Sequence, residues 1–183
     1  MAIDDFNPQI ADTPVEPFEE GSGNSVIDLI RQEMDELSAH RDVFIPIKGY
    51  EKTGLAVRYG MPEKGKELDD IANKNRRVDK DDWYLNLHTA MDTMIHLCLG
   101  IYIRPEGVED YVELDPNFQG APVRFDHQMA NIVGLPENSN ARQVIRKLFD
   151  NNDMKILDHS SRLQRWLSDN KADVEKELWQ LGN

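Results

Sequence analysis

The sequence predicts an α+β fold, predominantly helical, in which a small antiparallel β-sheet packs with a helical C-terminal half behind a disordered acidic N-terminus. Three observations carry this expectation. Apolar residues alternate with period two as Val43, Ile45, Ile47 and again as Leu55, Val57, Tyr59, the pattern of strands buried on one face. From Asp81 onward the spacing lengthens to three and four, as a helix with a buried stripe requires. At 183 residues the chain is long enough for one domain with a sizeable core, and two would be cramped. The expected division is an acidic tail over 1–24 and a single domain over 25–183.

Residues 1–24 carry Asp4, Asp5, Asp12, Glu16, Glu19 and Glu20 with no Lys or Arg, and add Pro8, Pro14, Pro17, Gly21 and Gly23. Such a segment cannot bury enough apolar surface to offset its ordering. Its scattered Phe6, Ile10, Val15 and Phe18 leave open docking on a partner beside the reading as a passive tail. Ser25 caps an expected helix with Val26, Ile30, Met34 and Leu37 on one stripe. The two alternating runs form a hairpin over about 42–60, turning between Gly49 and Gly54. Pro46 lacks a ladder donor, so its strand lies at an edge or has its open side there. From Glu63 to Lys80 charges of both signs predict a solvated helix, or a helix and a loop.

Trp83, Leu87, Ala90, Met91, Met94, Leu97 and Cys98 mark a central helix. Tyr84, Leu85, Ile95 and Leu99 make it apolar nearly all round, Asp81 or Asp82 serves its start, and Gly100 is expected to end it. Two short strands within 101–114, around a turn at Pro105 and Gly107, extend the hairpin into a small sheet. A short helix ends at Gly134 and Pro136. The next has Ser139 or Asn140 as its cap and Val144, Ile145, Leu148 and Phe149 as its apolar face. From Asp153 a long helix carries Ile156, Ser160, Leu163, Leu167, Val174, Leu178 and Leu181, joined by Trp166 and Trp179, with a break expected near Asn170.

The net charge of -13, with pI near 4.7, argues against nucleic acid, because duplex binding depends on Lys and Arg neutralising phosphates. Arg76 and Arg77 do not change this, since Asp69, Asp70, Asp79, Asp81 and Asp82 surround them. The same charge argues against anionic membrane surfaces, and no run approaches the ~20 apolar residues of a membrane span. The N-terminus has no basic region followed by an apolar stretch. A soluble cytoplasmic protein is expected. The single cysteine, Cys98, permits no intrachain disulfide and sits in an apolar run, where it reads as a small buried hydrophobe.

His88, Asp92 and His96 lie four apart and share a helical face, a spacing that a metal site can use with further ligands from elsewhere. The competing reading is polar residues bonded within an interface. The stretch from Asp150 fails as a calcium loop. Met154 stands where an oxygen ligand is expected, Lys155 where the turn needs Gly, and Ser161 where the bidentate Glu belongs. Asp150, Asn151, Asn152 and Asp153 instead suit the turn between two helices, with Asp153 as N-cap and Asp158 favouring the helix dipole. His159 has no marked nucleophile or carboxylate as a catalytic partner. A Gly-rich phosphate loop, a nucleophile elbow and the paired-His motif of a metalloprotease are absent from the sequence. The motifs point away from an enzyme, and no catalytic residue or cofactor is assigned.

"DVFIPIKGYEKTGLAVRY", "AMDTMIHLCLGIYIR", "PVRFDHQMANIVGL", "ARQVIRKLFDNND" and "HSSRLQRWLSDNKADVEKELWQ" follow one another behind an acidic lead. In this order the chain resembles the tail assembly chaperones of long-tailed phages infecting actinobacteria. The likeness covers about residues 25 to 181. It is best at the Gly49-Tyr50 turn leading to Val57-Arg58-Tyr59, at Arg124-Phe125-Asp126 ahead of a helix, in the Ala141 to Phe149 helix, and at Leu163 to Trp166.

The resemblance implies a protein made in the host cytoplasm during virion assembly and absent from the mature particle. It would coat the long helical tape measure protein, keep it soluble and help recruit tail tube subunits. Some members are also made as a longer, frameshifted product. The expected partner surface is the C-terminal helix with Leu163, Trp166, Leu167, Val174, Leu178 and Trp179, because an amphipathic stretch near a chain end packs either on its own domain or on a partner's helix. Arg142, Arg146, Arg162 and Arg165 are candidates for added specificity, and a homo-oligomer is compatible. The alternatives are a structural virion protein, such as a minor tail or head-tail connector component, and a small metalloprotein using His88, Asp92 and His96.

Overall fold

The alternation read in the sequence becomes a meander. Strand β1 (Asp42–Pro46) pairs with β2 (Ala56–Gly60), β2 with β3 (Cys98–Ile103), and β3 with β4 (Val112–Glu113), giving an antiparallel sheet of order β1-β2-β3-β4. The computed structural model describes residues 41–181 apart from 63, 65 and 115–119, with side chains described through residue 170. The acidic tail expected over 1–24 and the helix expected after Ser25 lie outside the described residues.

The hairpin register explains how Pro46 is tolerated. The Met61 amide bonds the Arg41 carbonyl at 3.0 Å and the Ile47 amide bonds the Leu55 carbonyl at 2.9 Å, so odd-numbered residues of β1 face β2 and Pro46 faces the open edge. No ladder bond is lost there. Ile45, Val57, Tyr59 and Ile101 line the buried side of the sheet. On the other side Phe44 stacks on Tyr111 with ring centroids 4.3 Å apart, and the Arg58 and Arg104 guanidinium groups lie over these two rings at 5.6 and 4.9 Å.

Five helices complete the described chain: α1 (Glu67–Val78), α2 (Asp82–Leu97), α3 (His127–Ile132), α4 (Ala141–Leu148) and α5 (Asp153–Leu181). Helix α2 buries Leu87, Ala90, Met91, Met94 and Leu97 against the sheet and α5, and Met129, Ile145, Leu148, Ile156 and Leu163 close the core from the C-terminal half. Capping chemistry sets the helix starts. Asp81 accepts from the Trp83 and Tyr84 amides, Asp126 from the Gln128 and Met129 amides, and Asn140 forms a reciprocal capping box with Gln143.

Several expectations are corrected. Helix α2 ends at Leu97, and the chain passes directly into β3 at Cys98. Gly100 therefore sits within a strand, opposite Arg58. A Cβ there would stand 2.7 Å from Pro122 Cβ and 2.9 Å from the Tyr102 ring, so close packing over β3, and no helix stop, explains the glycine. A register shift between Arg58 and Tyr59 leaves Leu99 without a partner on β2 and 37% exposed.

Trp83, expected on the core stripe, is 45% exposed and Tyr84 is 52% exposed, because the buried face of α2 begins a turn later at Leu87. Asn152, and not Asp153, caps α5: its Oδ1 accepts from the Lys155 amide at 3.1 Å. The break expected near Asn170 does not occur. Asn170 Nδ2 donates to the Trp166 carbonyl at 2.9 Å, within an unbroken helix. Between α4 and α5, Asp150 (φ 59°) and Asn151 (φ 52°) take the left-handed conformation that Asp and Asn adopt more readily than other side chains.

Candidate functional site

His88, Asp92 and His96 do share a face of α2, and the structure gives each a separate partner. His88 Nδ1 lies 2.9 Å from Asp79 Oδ2 beyond the end of α1, and His96 Nε2 lies 2.9 Å from Glu67 Oε2 at its start. Asp92 receives Arg142 Nε on Oδ1 and Nη2 on Oδ2, both at 2.7 Å, and Asn75 Nδ2 at 3.0 Å. The Asp92 carboxyl is half-buried, which works against its charge. The Arg142 and Asn75 hydrogen bonds outweigh that and hold it below the usual carboxylate pKa. Among the described residues no three His, Cys, Asp or Glu side chains gather as a metal site. These bonds instead fasten α1 and α4 onto α2. Above them lies a groove of about 580 Å³ lined by Ile71, Ile95 and Ala141, with Lys74 and His96 also on its wall.

In the C-terminal helix the candidate surface residues that are described belong to the core. Leu163 is 0% exposed and Leu167 9%, both members of the core, and Trp166 packs partly buried against that core. These two leucines are therefore committed to their own domain. Val174, Leu178 and Trp179 lie outside the described side chains. Of the arginines with them, Arg142 is held by Asp92, Arg146 pairs with Asp153 at 2.8 Å, and Arg165 is exposed.

Helix α5 is fixed to the hairpin by polar contacts that its apolar stripe does not reveal. Arg162 Nη1 donates to the Pro46 carbonyl at 2.9 Å, Lys48 Nζ meets Asp158 Oδ2 at 2.9 Å, and His159 Nε2 lies 3.0 Å from the Tyr59 hydroxyl. Near their base the Tyr50 hydroxyl donates to the Leu148 carbonyl at 2.9 Å. His159 is fully buried. Burial, reinforced by the Arg162 cation, pushes its pKa down to about 3, which removes it from acid–base work near neutral pH. Burial likewise pushes the Cys98 thiol up to about 12, leaving it an inert small hydrophobe, as its apolar run implied.

Exposed apolar residues are the feature the sequence pattern concealed. Val78 is 73% exposed at the end of α1, and Trp83 and Tyr84 are exposed in the first turn of α2. Asp81 was the available signal. A capping carboxylate marks a helix end, and side chains in the first turn beside it often stand clear of the core. The chain matches no protein-family model, no curated protein and no solved structure.

Proposed function

We propose that this protein is a tail assembly chaperone of long-tailed actinobacteriophages that binds the tape measure protein, keeps it soluble and supports assembly of the tail tube around it. Acting in the host cytoplasm, it leaves before the virion is complete. The observation that carries this reading is the length of α5 together with its single apolar stripe. Leu163 and Leu167 of that stripe lie in the core, and the helix runs on to Leu181, ~20 Å beyond Leu167 at 1.5 Å per residue. In the sequence, Val174, Leu178 and Leu181 continue the spacing of Leu163 and Leu167, a stripe suited to packing on a partner's helix. The net charge of -13 would keep such a complex dispersed.

Co-expression tests the reading. The tape measure protein is expected to move into the soluble fraction with the full chain and to return to the pellet with a chain ending at Asn170. Solubility that never depends on this chain would sink the proposal. Mass spectrometry of purified virions separates it from a structural tail component, since stoichiometric retention of the chain would overturn the chaperone reading.

A further inference from the structure

Tyr59, His159 and Arg162 join the hairpin to α5 through one buried imidazole. Arg162 Nη2 lies 3.2 Å from His159 Nδ1. A guanidinium only donates, so Nδ1 must be the acceptor and the proton of the neutral ring must sit on Nε2. That proton then points to the Tyr59 hydroxyl oxygen, 3.0 Å away. Arg162 uses Nη1 at the same time on the Pro46 carbonyl, at 2.9 Å. Its Nε is buried without a hydrogen-bond partner and stands 3.6 Å from Asp158 Oδ2, the carboxylate next to the guanidinium.

We propose that this chain of groups is a proton-operated latch between the hairpin and α5. With His159 neutral, Arg162 bridges Nδ1 and the Pro46 carbonyl and holds the hairpin down. One proton on Nδ1 converts that acceptor into a donor beside a cation, so Arg162 is displaced toward Asp158 and its bridge to the hairpin is lost. The inference is independent of the proposed function.

The groups facing the imidazole come from every element around it. The hairpin supplies the Pro46 carbonyl, and Lys48 through its pair with Asp158; β2 supplies Tyr59, which itself feels Cys98 of β3. The end of α4 supplies only the Phe149 ring, at 5.1 Å. Burial and Arg162 oppose protonation, while Asp158 and the Pro46 carbonyl favour it, and the balance lowers the pKa from 6.5 to about 3.

The sign follows from linkage. A base whose pKa is depressed in the closed state binds more protons in the open state, so the latch is fully shut above the open-state pKa and weakens as pH falls toward the closed-state value. Between pH 6.5 and about 3 the opening constant should rise by up to about tenfold per pH unit.

Amide hydrogen exchange on the full chain reads this directly, after correction for intrinsic exchange. The opening constant at the Ile47 amide, bonded to Leu55, is expected to rise roughly 50-fold over two pH units below 6.5, while α2 amides such as that of Met91 stay protected. In His159→Gln, which cannot titrate, the rise should vanish. A flat wild-type profile, an equal rise in His159→Gln, or simultaneous loss of α2 protection overturns the latch. Should that variant fail to fold, ¹⁵N spectra of wild-type His159 still decide. A neutral Nε2–H tautomer persisting to pH 5 supports the proposal, and an Nδ1–H tautomer or a titration near 6.5 overturns it.

Discussion

Asn152 and Asp153 differ by one position, yet only one of them caps α5. Both types suit a helix start, but Asn152 stands just ahead of the helix, where its Oδ1 accepts from the Lys155 amide at 3.1 Å, while Asp153 has already entered the helix and pairs with Arg146. Asn152→Ala is therefore expected to cost about 1 kcal/mol, the usual loss for an N-cap, measured by urea denaturation. Asp153→Ala removes one part-exposed ion pair and should cost less. Leu163 offers a sharper contrast. At 0% exposure, Leu163→Ala should cost about 2–5 kcal/mol through the cavity it leaves. A loss under about 0.5 kcal/mol, the scale of a surface change, would contradict its place in the core.

Helix α2 shows how a face becomes an interface. His88, Asp92 and His96 were legible as neighbours, and the structure turns them into three fasteners on two other helices. The strongest is Asp92, because Arg142 meets it with two hydrogen bonds and Asn75, only 3% exposed, completes the set. Arg142→Ala leaves that carboxylate without its cation, and a loss of about 1–2 kcal/mol is expected for a part-exposed pair.

A pH profile gives an independent reading of this pair. The Asp92 pKa is lowered in the fold from its ordinary 3.8, so its contribution is fully present above that value and is lost as pH falls through the lower folded one. Stability of Arg142→Ala should accordingly depend less on pH below about 4 than that of the parent. Equal acid sensitivity of the two proteins would remove Asp92 as a source of it. Zinc or nickel should leave the melting temperature of the parent unchanged, since the three side chains diverge to separate partners.

Over the whole molecule, the hairpin and its extension into a small sheet, the central place of α2 and the helical C-terminal half were legible in periodicity, because a strand or helix with one buried face must repeat its apolar residues at two or at three and four; the strand order was not. The candidate partner surface was only half legible. One stripe of α5 contains residues that fill their own core, Leu163 and Leu167, and continues toward Leu181 with the same spacing. Truncation at Asn170 is the decisive whole-chain experiment, expected to leave the described core folded while abolishing any solubilisation of a helical partner. Loss of the cooperative thermal transition in that truncation would mean that the end of α5 also serves the core.

By itself the sequence determined which residues alternate and where the helices and strands fall to within a few residues, since these follow from local backbone geometry and from charge. Only the tertiary structure decided what stands opposite each face. Spacing places His88, Asp92 and His96 together, but whether they meet one ion or three separate side chains depends on Asp79, Glu67 and Arg142, residues up to 50 positions away. The same holds for Gly100 and His159. A glycine reads as a helix stop until Pro122 is found over it, and a histidine without a marked partner in the sequence gains Tyr59 and Arg162 in the fold, because contact between distant parts of a chain is a property of packing.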